Sequence, residues 1–264
     1  MAHRFKLGRK PRTFDSNIPH LSALLGTPSR RHYAVPLDVD YTKGMPASVG
    51  MMLNNDLSDC TSAAKYHARQ VRTFVATGKM VTESDACVEK FYCGSCDYVP
   101  GNPDTDQGGN MQAVLAYLLK NGLPIGDGSQ VAKIVGYLEV DARNPDDLML
   151  AIEECGLIDI GFGVPAYLMP EDGSPPPLIW DVERRNRRII GGHDVIQPGR
   201  TNGLYRTVSW GSTGYQMTER FFEAYVDEAY AVITAEWIEQ SGKTPFGLTL
   251  ADWQKQMAGI AAQT

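Results

Sequence analysis

Apolar and semi-polar residues recur at 60, 64, 67, 71, 74 and 75 and stop at Gly78, which places them on one face of a helix that starts after Asp59. Start and stop signals predict two more helices, over residues 82–92 and 110–120, the second ended by Asn121-Gly122. Beyond Ile125 the texture changes. Residues 131–140 read as a strand, Asn144-Pro145 opens a short helix closed by Gly156, and residues 157–160 read as another strand. Ile189-Ile190 lead through Gly191-Gly192 into a strand carrying His193, residues 205–210 alternate as a strand, and Thr218 caps a short helix. A strand over 229–233 and an amphipathic helix over 248–262 complete the pattern: helices first, strands afterwards.

Charge changes this picture only at the front. The chain has 264 residues and a net charge of −6, yet residues 1–31 hold Arg4, Lys6, Arg9, Lys10, Arg12, Arg30 and Arg31 against the single acid Asp15. That segment carries +6 and the remainder −12. An acidic body argues against nucleic acid as the main partner. Residues 1–45, punctuated by Pro, Arg and Gly, read as a basic extended arm; a solvated tail is the favoured reading, with a partner protein, a particle or the protein's own acidic surface as alternatives. No apolar signal region or membrane-length apolar run occurs, so the expected location is cytoplasmic, or with whatever particle the protein joins.

Five cysteines without a secretory signal do not suggest a disulfide scaffold. Cys60 opens the first helix, where unpaired N–H groups and the macrodipole favour a thiolate; on this turn alone a small buried hydrophobe is the favoured reading, since free cysteine is among the most buried residue types. His67 shares the helix face but lies roughly 10 Å further along the axis, too far to act as its base, and reads as a core histidine. Other signals fail on context. Gly161-Phe162-Gly163-Val164-Pro165-Ala166 fits a dinucleotide fingerprint, but Pro165 and Pro170 deny it the helix that would hold a pyrophosphate. Residues 102–113 imitate a calcium loop with a misplaced glycine and Ala113 in place of the closing acid. Cys93-Gly94-Ser95-Cys96 has no second pair for zinc, leaving a disulfide or two thiols open. No cofactor or metal is expected. Cys60 lies 133 residues before His193, within the roughly 130–150 typical of one class of cysteine nucleophile and its histidine, whereas Cys96 lies 97 before it.

Four blocks in order now form a pattern: Asn54 six residues before Cys60; Gly108-Gly109-Asn110-Met111-Gln112-Ala113 with Tyr117-Leu118 and Asn121-Gly122-Leu123; Gly191-Gly192-His193-Asp194-Val195; and Ser209-Trp210-Gly211. Over about residues 50–235 the chain resembles the papain family of cysteine peptidases, and most of all its short bacterial and tailed-phage branch without a pro-segment. The resemblance implies an α+β, two-lobed fold: a helical left half over about 46–125, a β-barrel-like right half over about 126–240, and the cleft between them. The arm (1–45) would precede this papain-like domain (46–240), and a C-terminal helix (241–264) would pack on it. Cys60 would be the nucleophile, His193 its base and Asn54 the oxyanion donor, with Asn55 as fallback. Trp210 would shield the histidine's partner from water. The family's orienting asparagine, however, is replaced by Val208, which predicts weakened catalysis. The implied function is a peptidase or related hydrolase acting on a peptide or protein substrate in the cleft through a thioester, in a bacterial cytoplasm or on a virion. The alternative is a non-catalytic papain-fold structural or binding protein, such as a phage or virion component. Arg184-Arg185-Asn186-Arg187-Arg188 reads as a solvated hairpin rim, and Phe221, Phe222, Tyr225 and Tyr230 as core.

Overall fold

The computed structural model describes residues 5–22, 35–239 and 242–261, so Arg4, Arg30, Arg31 and the last residue of the expected terminal helix lie outside it. The first helix, α1 (Cys60–Thr77), follows Asp59, whose side chain makes no capping bond. Its apolar stripe faces two ways. One flank meets α2 (Asp85–Cys96) and α3 (Met111–Asn121) in a core built from Tyr66, Val88, Phe91, Val114 and Leu118, with Tyr66 and Tyr117 set edge-on to Phe91. The other flank, Ala64, Ala68 and Val71, packs on the main sheet through Ile196 and Val208. Helix α2 begins three residues later than the sequence implies because Ser84 accepts a bond from the Cys87 N–H, and it runs on through Cys96. All five cysteines are free thiols.

The strands are β1 (Val39–Asp40), β2 (Ser48–Gly50), β3 (Leu123–Ile125), β4 (Gln130–Ala132), β5 (Ile134–Glu139), β6 (Ile158–Pro165), β7 (Ile179–Trp180), β8 (Ile189–Thr201), β9 (Leu204–Ser209), β10 (Gly211–Thr218) and β11 (Val226–Thr234). The expected strand over 131–140 is two, because residues 130–132 turn back onto β3 while 134–139 join the main sheet. Among the described residues that sheet has nine strands in the order β2-β10-β9-β8-β6-β11-β5, with β1 on β8 and β7 on β10. Its path has two ends rather than closing, so the right half is an open, antiparallel sheet with a single parallel pair, β7 on β10, and not a barrel.

Strand alternation gives this sheet two working faces. Ile158, Ile160, Phe162 and Val164 of β6 and Val195 of β8 point into the larger core. There they meet α4 (Pro145–Cys155), capped by Asn144, and α5 (Glu219–Tyr225), capped by Thr218. Phe221, Phe222 and Tyr225 are buried in the same core, and Tyr230 is buried against the helices, as their spacing implied. Asp159, Gly161, Asp194 and Ile196 lie on the opposite face, towards α1. Helices α6 (Ala235–Glu239) and α7 (Leu250–Ala261) end the chain, with Trp253 buried. Among the described residues no helix is long and apolar enough to cross a membrane.

Candidate active site

The top of α1 carries Cys60 into the seam between helices and sheet, where the Ser62 and Ala63 N–H groups both bond the Asp59 carbonyl, at 2.7 and 2.9 Å. The thiol is buried. Burial raises its pKa strongly and the acidic side chains of Asp194 and Asp59 add to the rise, while the Asp194 and Gly8 backbone N–H groups oppose it. A helix N-terminus by itself would lower that pKa. Here desolvation is the larger effect, so the cysteine is a thiol.

His193, midway along β8, is also buried. Its Nε2 lies 2.8 Å from Ser209 Oγ, and its Nδ1 has no hydrogen-bond partner. Trp210 stacks on the ring at 4.1 Å and 15°, and Phe162 stands edge-on to it at 5.9 Å. Burial, with His67 as a second cause, pulls the imidazole pKa down to about 3. The ring is therefore neutral, and an Nε2–H donated to the hydroxyl leaves Nδ1 as a bare acceptor. His67 itself bonds Gln70 at 2.9 Å, as a core histidine does.

Ser209 is the residue that the sequence reasoning missed. Val208 pairs with Ile196 and points into the core under α1. Its neighbour therefore points the other way, to the face that carries His193, and supplies the oxygen that valine lacks. That alternation was available as a signal in the strand pattern. Ser209→Ala is expected to slow alkylation of Cys60 by about tenfold, the weight of one buried hydrogen bond. Val208→Ala should leave that rate alone and lower stability by about 2 kcal/mol, which chemical denaturation would read.

Asn54 is buried and ties the turn before the helix, its Nδ2 donating to the Leu57 carbonyl at 3.1 Å. Asn55 instead bonds the Asp56 carboxylate at 2.6 Å. Below Cys60, Lys65 of α1 is enclosed with Asp159 of β6 and Asp194 of β8, bonding both, the second at 3.1 Å. The two carboxylates hold the ammonium pKa above its ordinary value although burial works against it. Asp194 thus points away from His193.

The seam is not empty. Residues 5–13 of the arm run along it and bond both walls. The Lys6 N–H bonds the Asn54 carbonyl at 3.0 Å, the Gly8 and Arg9 N–H groups both reach the Gly192 carbonyl, at 3.2 and 3.0 Å, and Gly109 donates to Gly8 and accepts from Lys10 at 2.9 and 2.8 Å. Trp210 Nε1 donates to the Lys6 carbonyl at 3.1 Å, and Phe5 packs edge-on against the same ring. A Cβ on Gly8 would sit 1.7 Å from the Ser58 carbonyl oxygen, so only glycine lets the chain pass this close to Cys60. Arg9 pairs with Asp227 and Glu228, and Arg12 with Glu139. Over these residues the arm is not a solvated tail: it lies on the protein's own acidic surface.

The fold has solved counterparts. Xylellain, a cysteine protease from Xylella fastidiosa, superposes with a TM-score of 0.66 over 89% of this chain and 98% of its own, at 17% identity. Procathepsin B S9 from Trypanosoma congolense gives 0.59 over 87% and 86% at 13% identity. Procathepsin L 3 of Tenebrio molitor larval midgut gives 0.55 over 88% and 76% at 17%. No protein-family model and no curated protein matches the chain. At such low identities the likeness concerns architecture, and the architecture of this chain is that of the papain-like cysteine proteases.

Proposed function

We propose that the protein is a papain-like cysteine hydrolase that cleaves a peptide or protein substrate, held closed in this state by its own N-terminal arm. The observation that carries the reading is His193, fixed by Ser209 and Trp210 with Nδ1 as an unpartnered acceptor, one residue before the Asp194 N–H that meets the Cys60 thiol at the start of α1. In the reaction His193 Nδ1 takes the Cys60 proton, and the thiolate attacks the scissile carbonyl carbon. The imidazolium then protonates the leaving amine, and a thioester remains on Cys60. Water, deprotonated by His193, releases the acid and restores the thiol. Asn54 is assigned to the oxyanion, a role that requires its amide to turn from Leu57 once the arm leaves.

The arm accounts for the resting chemistry. It covers Cys60 and leaves the thiol without a hydrogen bond to His193, whose Nδ1 is unpartnered. Iodoacetamide at pH 6 tests the reading: labelling of Cys60 should outpace that of the other four cysteines once the arm is loosened by Arg9→Ala, because the reading makes His193 the base for this thiol alone. Uniform reactivity under those conditions would instead favour a non-catalytic papain-fold binding protein, the reading to which a permanently filled cleft belongs.

A further inference from the structure

The run Arg184-Arg185-Asn186-Arg187-Arg188, expected as a solvated rim, lies in the loop that joins β7 to β8. One short segment closes the base of that loop. The Tyr167 hydroxyl donates to the Asp181 carbonyl at 2.8 Å, and the Tyr167 and Ala166 N–H groups reach the Asn186 and Arg188 carbonyls at 3.2 and 2.8 Å. Residues 183–190 are exposed without a break, the mark of a protrusion and not of a groove.

Two chemistries meet on it. Among the described residues none of the four arginines pairs with a carboxylate: Arg187 Nε donates to the Tyr225 hydroxyl at 3.2 Å, and the loop's own Asp181 is taken by Thr218 and Arg220, at 2.7 and 2.5 Å. Elsewhere Arg9, Arg12, Arg69, Arg200, Arg206 and Arg220 all have carboxylate partners. In a body that carries −12 beyond residue 31, this cluster reverses the local field. The arginines are flanked on both limbs by aliphatic side chains that water still reaches. Leu178, Ile179, Ile189 and Ile190 are 39–63% exposed, and they are four of the ten large apolar side chains exposed among the described residues. Single exposed apolar residues need no explanation, whereas four gathered beside unmatched charge mark an interaction surface.

The combination selects the partner. Nucleic acid would satisfy the arginines, but base stacking needs an exposed aromatic ring, and Trp180, the one aromatic residue in 178–190, is buried. An acidic protein needs complementary shape, which a protruding loop offers poorly. An anionic bilayer meets both needs: headgroup phosphates take the guanidinium groups, and the acyl boundary takes the aliphatic side chains.

We propose that residues 178–190 form a membrane-docking loop that sets Arg184, Arg185, Arg187 and Arg188 on anionic phospholipid headgroups and Leu178, Ile179, Ile189 and Ile190 among the upper acyl chains. The contact is peripheral, since among the described residues no helix is long and apolar enough to cross a membrane. Strand β8 runs from Ile189 to His193 over about 13 Å, so docking holds the seam close to the lipid surface. The proposal does not rest on the hydrolase reading, and its test needs no turnover.

The full chain is sedimented with phosphatidylcholine vesicles, with and without about a third phosphatidylglycerol. One arginine near an anionic leaflet multiplies partition about fivefold, so the anionic vesicles should bind at least about 30-fold more tightly, and about 0.5 M salt should remove the difference. Arg184→Gln/Arg185→Gln/Arg187→Gln/Arg188→Gln should abolish the preference. Should that variant unfold, Arg184→Gln/Arg185→Gln, which keeps Arg187 on Tyr225, should weaken binding about 25-fold. Ile189→Ser/Ile190→Ser should weaken it about tenfold. Leu178→Trp reads depth: the four native tryptophans are buried, so quenching by lipids brominated on the upper acyl chain should appear in this variant alone. Equal partition into both vesicles, no binding, or binding that survives loss of the four arginines would overturn the proposal. Tighter binding to single-stranded DNA or polyglutamate than to anionic vesicles would overturn it too, as would a vesicle-bound Leu178→Trp protein that brominated lipid leaves unquenched.

Discussion

Arg9→Ala should raise the reactivity of Cys60 towards iodoacetamide, and the cleavage of peptides, by about two orders of magnitude. Arg9 joins the arm to the body through two carboxylates, and its own side chain is only 3% exposed. Removing one partner of a buried ion pair costs about 3 kcal/mol or more, chiefly because the remaining charge stays buried, and each 1.4 kcal/mol is tenfold in an equilibrium. Here the structure has a way to relieve that penalty. If the arm lifts, water reaches Glu228 and the free energy lost appears as arm release instead of global unfolding. The arm's other bonds, from Lys6, Gly8 and Lys10 to the cleft backbone, are made equally well by any peptide, so their loss is offset when substrate binds. Alkylation rates of wild type and variant at one pH provide the measurement, with thermal unfolding as the control. An unchanged rate in a folded variant would show that Arg9 does not hold the cleft shut.

His193→Ala, made in the Arg9→Ala background, should lower peptide cleavage by about 10³-fold and slow Cys60 alkylation as well. A positioned general base is worth about 10²–10⁴. The loss here is expected inside that range because the thiol gains little help elsewhere: Asp194 and Asp59 both raise its pKa, and the Asp194 N–H opposes them only in part. The pH dependence separates the two proteins. In the closed state burial keeps the imidazole pKa near 3, so His193 is a neutral acceptor at pH 7. Opening the cleft returns water to the ring and lets that pKa rise towards the ordinary histidine value of about 6.5, where a thiolate–imidazolium pair becomes accessible. The alkylation rate of Arg9→Ala should therefore retain reactivity to lower pH than the histidine-free variant, whose thiol alone titrates. Superimposable pH profiles would remove His193 from the chemistry.

Much of this site was legible residue by residue. Cys60 opens α1 because Asn54 through Asp59 make a turn and the face repeating from 60 to 75 can be buried only as a helix. Asn144 and Thr218 cap α4 and α5, and each does so with its side chain accepting from the helix N–H groups, a purely local matter. His193 was marked by its distance from Cys60 and by the glycines before it. The helix start and the caps depend on neighbours a few residues away, and the His193 spacing is read directly along the chain, so the order of amino acids determines them.

Tertiary structure decided the rest. Whether Val208 or its neighbour faces the histidine depends on the register of β9 against β8, set by which side chain the α1 core accepts. The state of Cys60 is likewise non-local: its helix favours a thiolate, but the arm and the Asp194 strand bury it, and desolvation outweighs the dipole. The positive charge of residues 1–31 favoured a solvated tail and left the protein's own acidic surface only as an alternative. The partner became visible only when strand pairing set Glu228, Gly161 and Asp194 in one row, because a carboxylate separated from Arg9 by 219 positions becomes its neighbour only through the folded sheet.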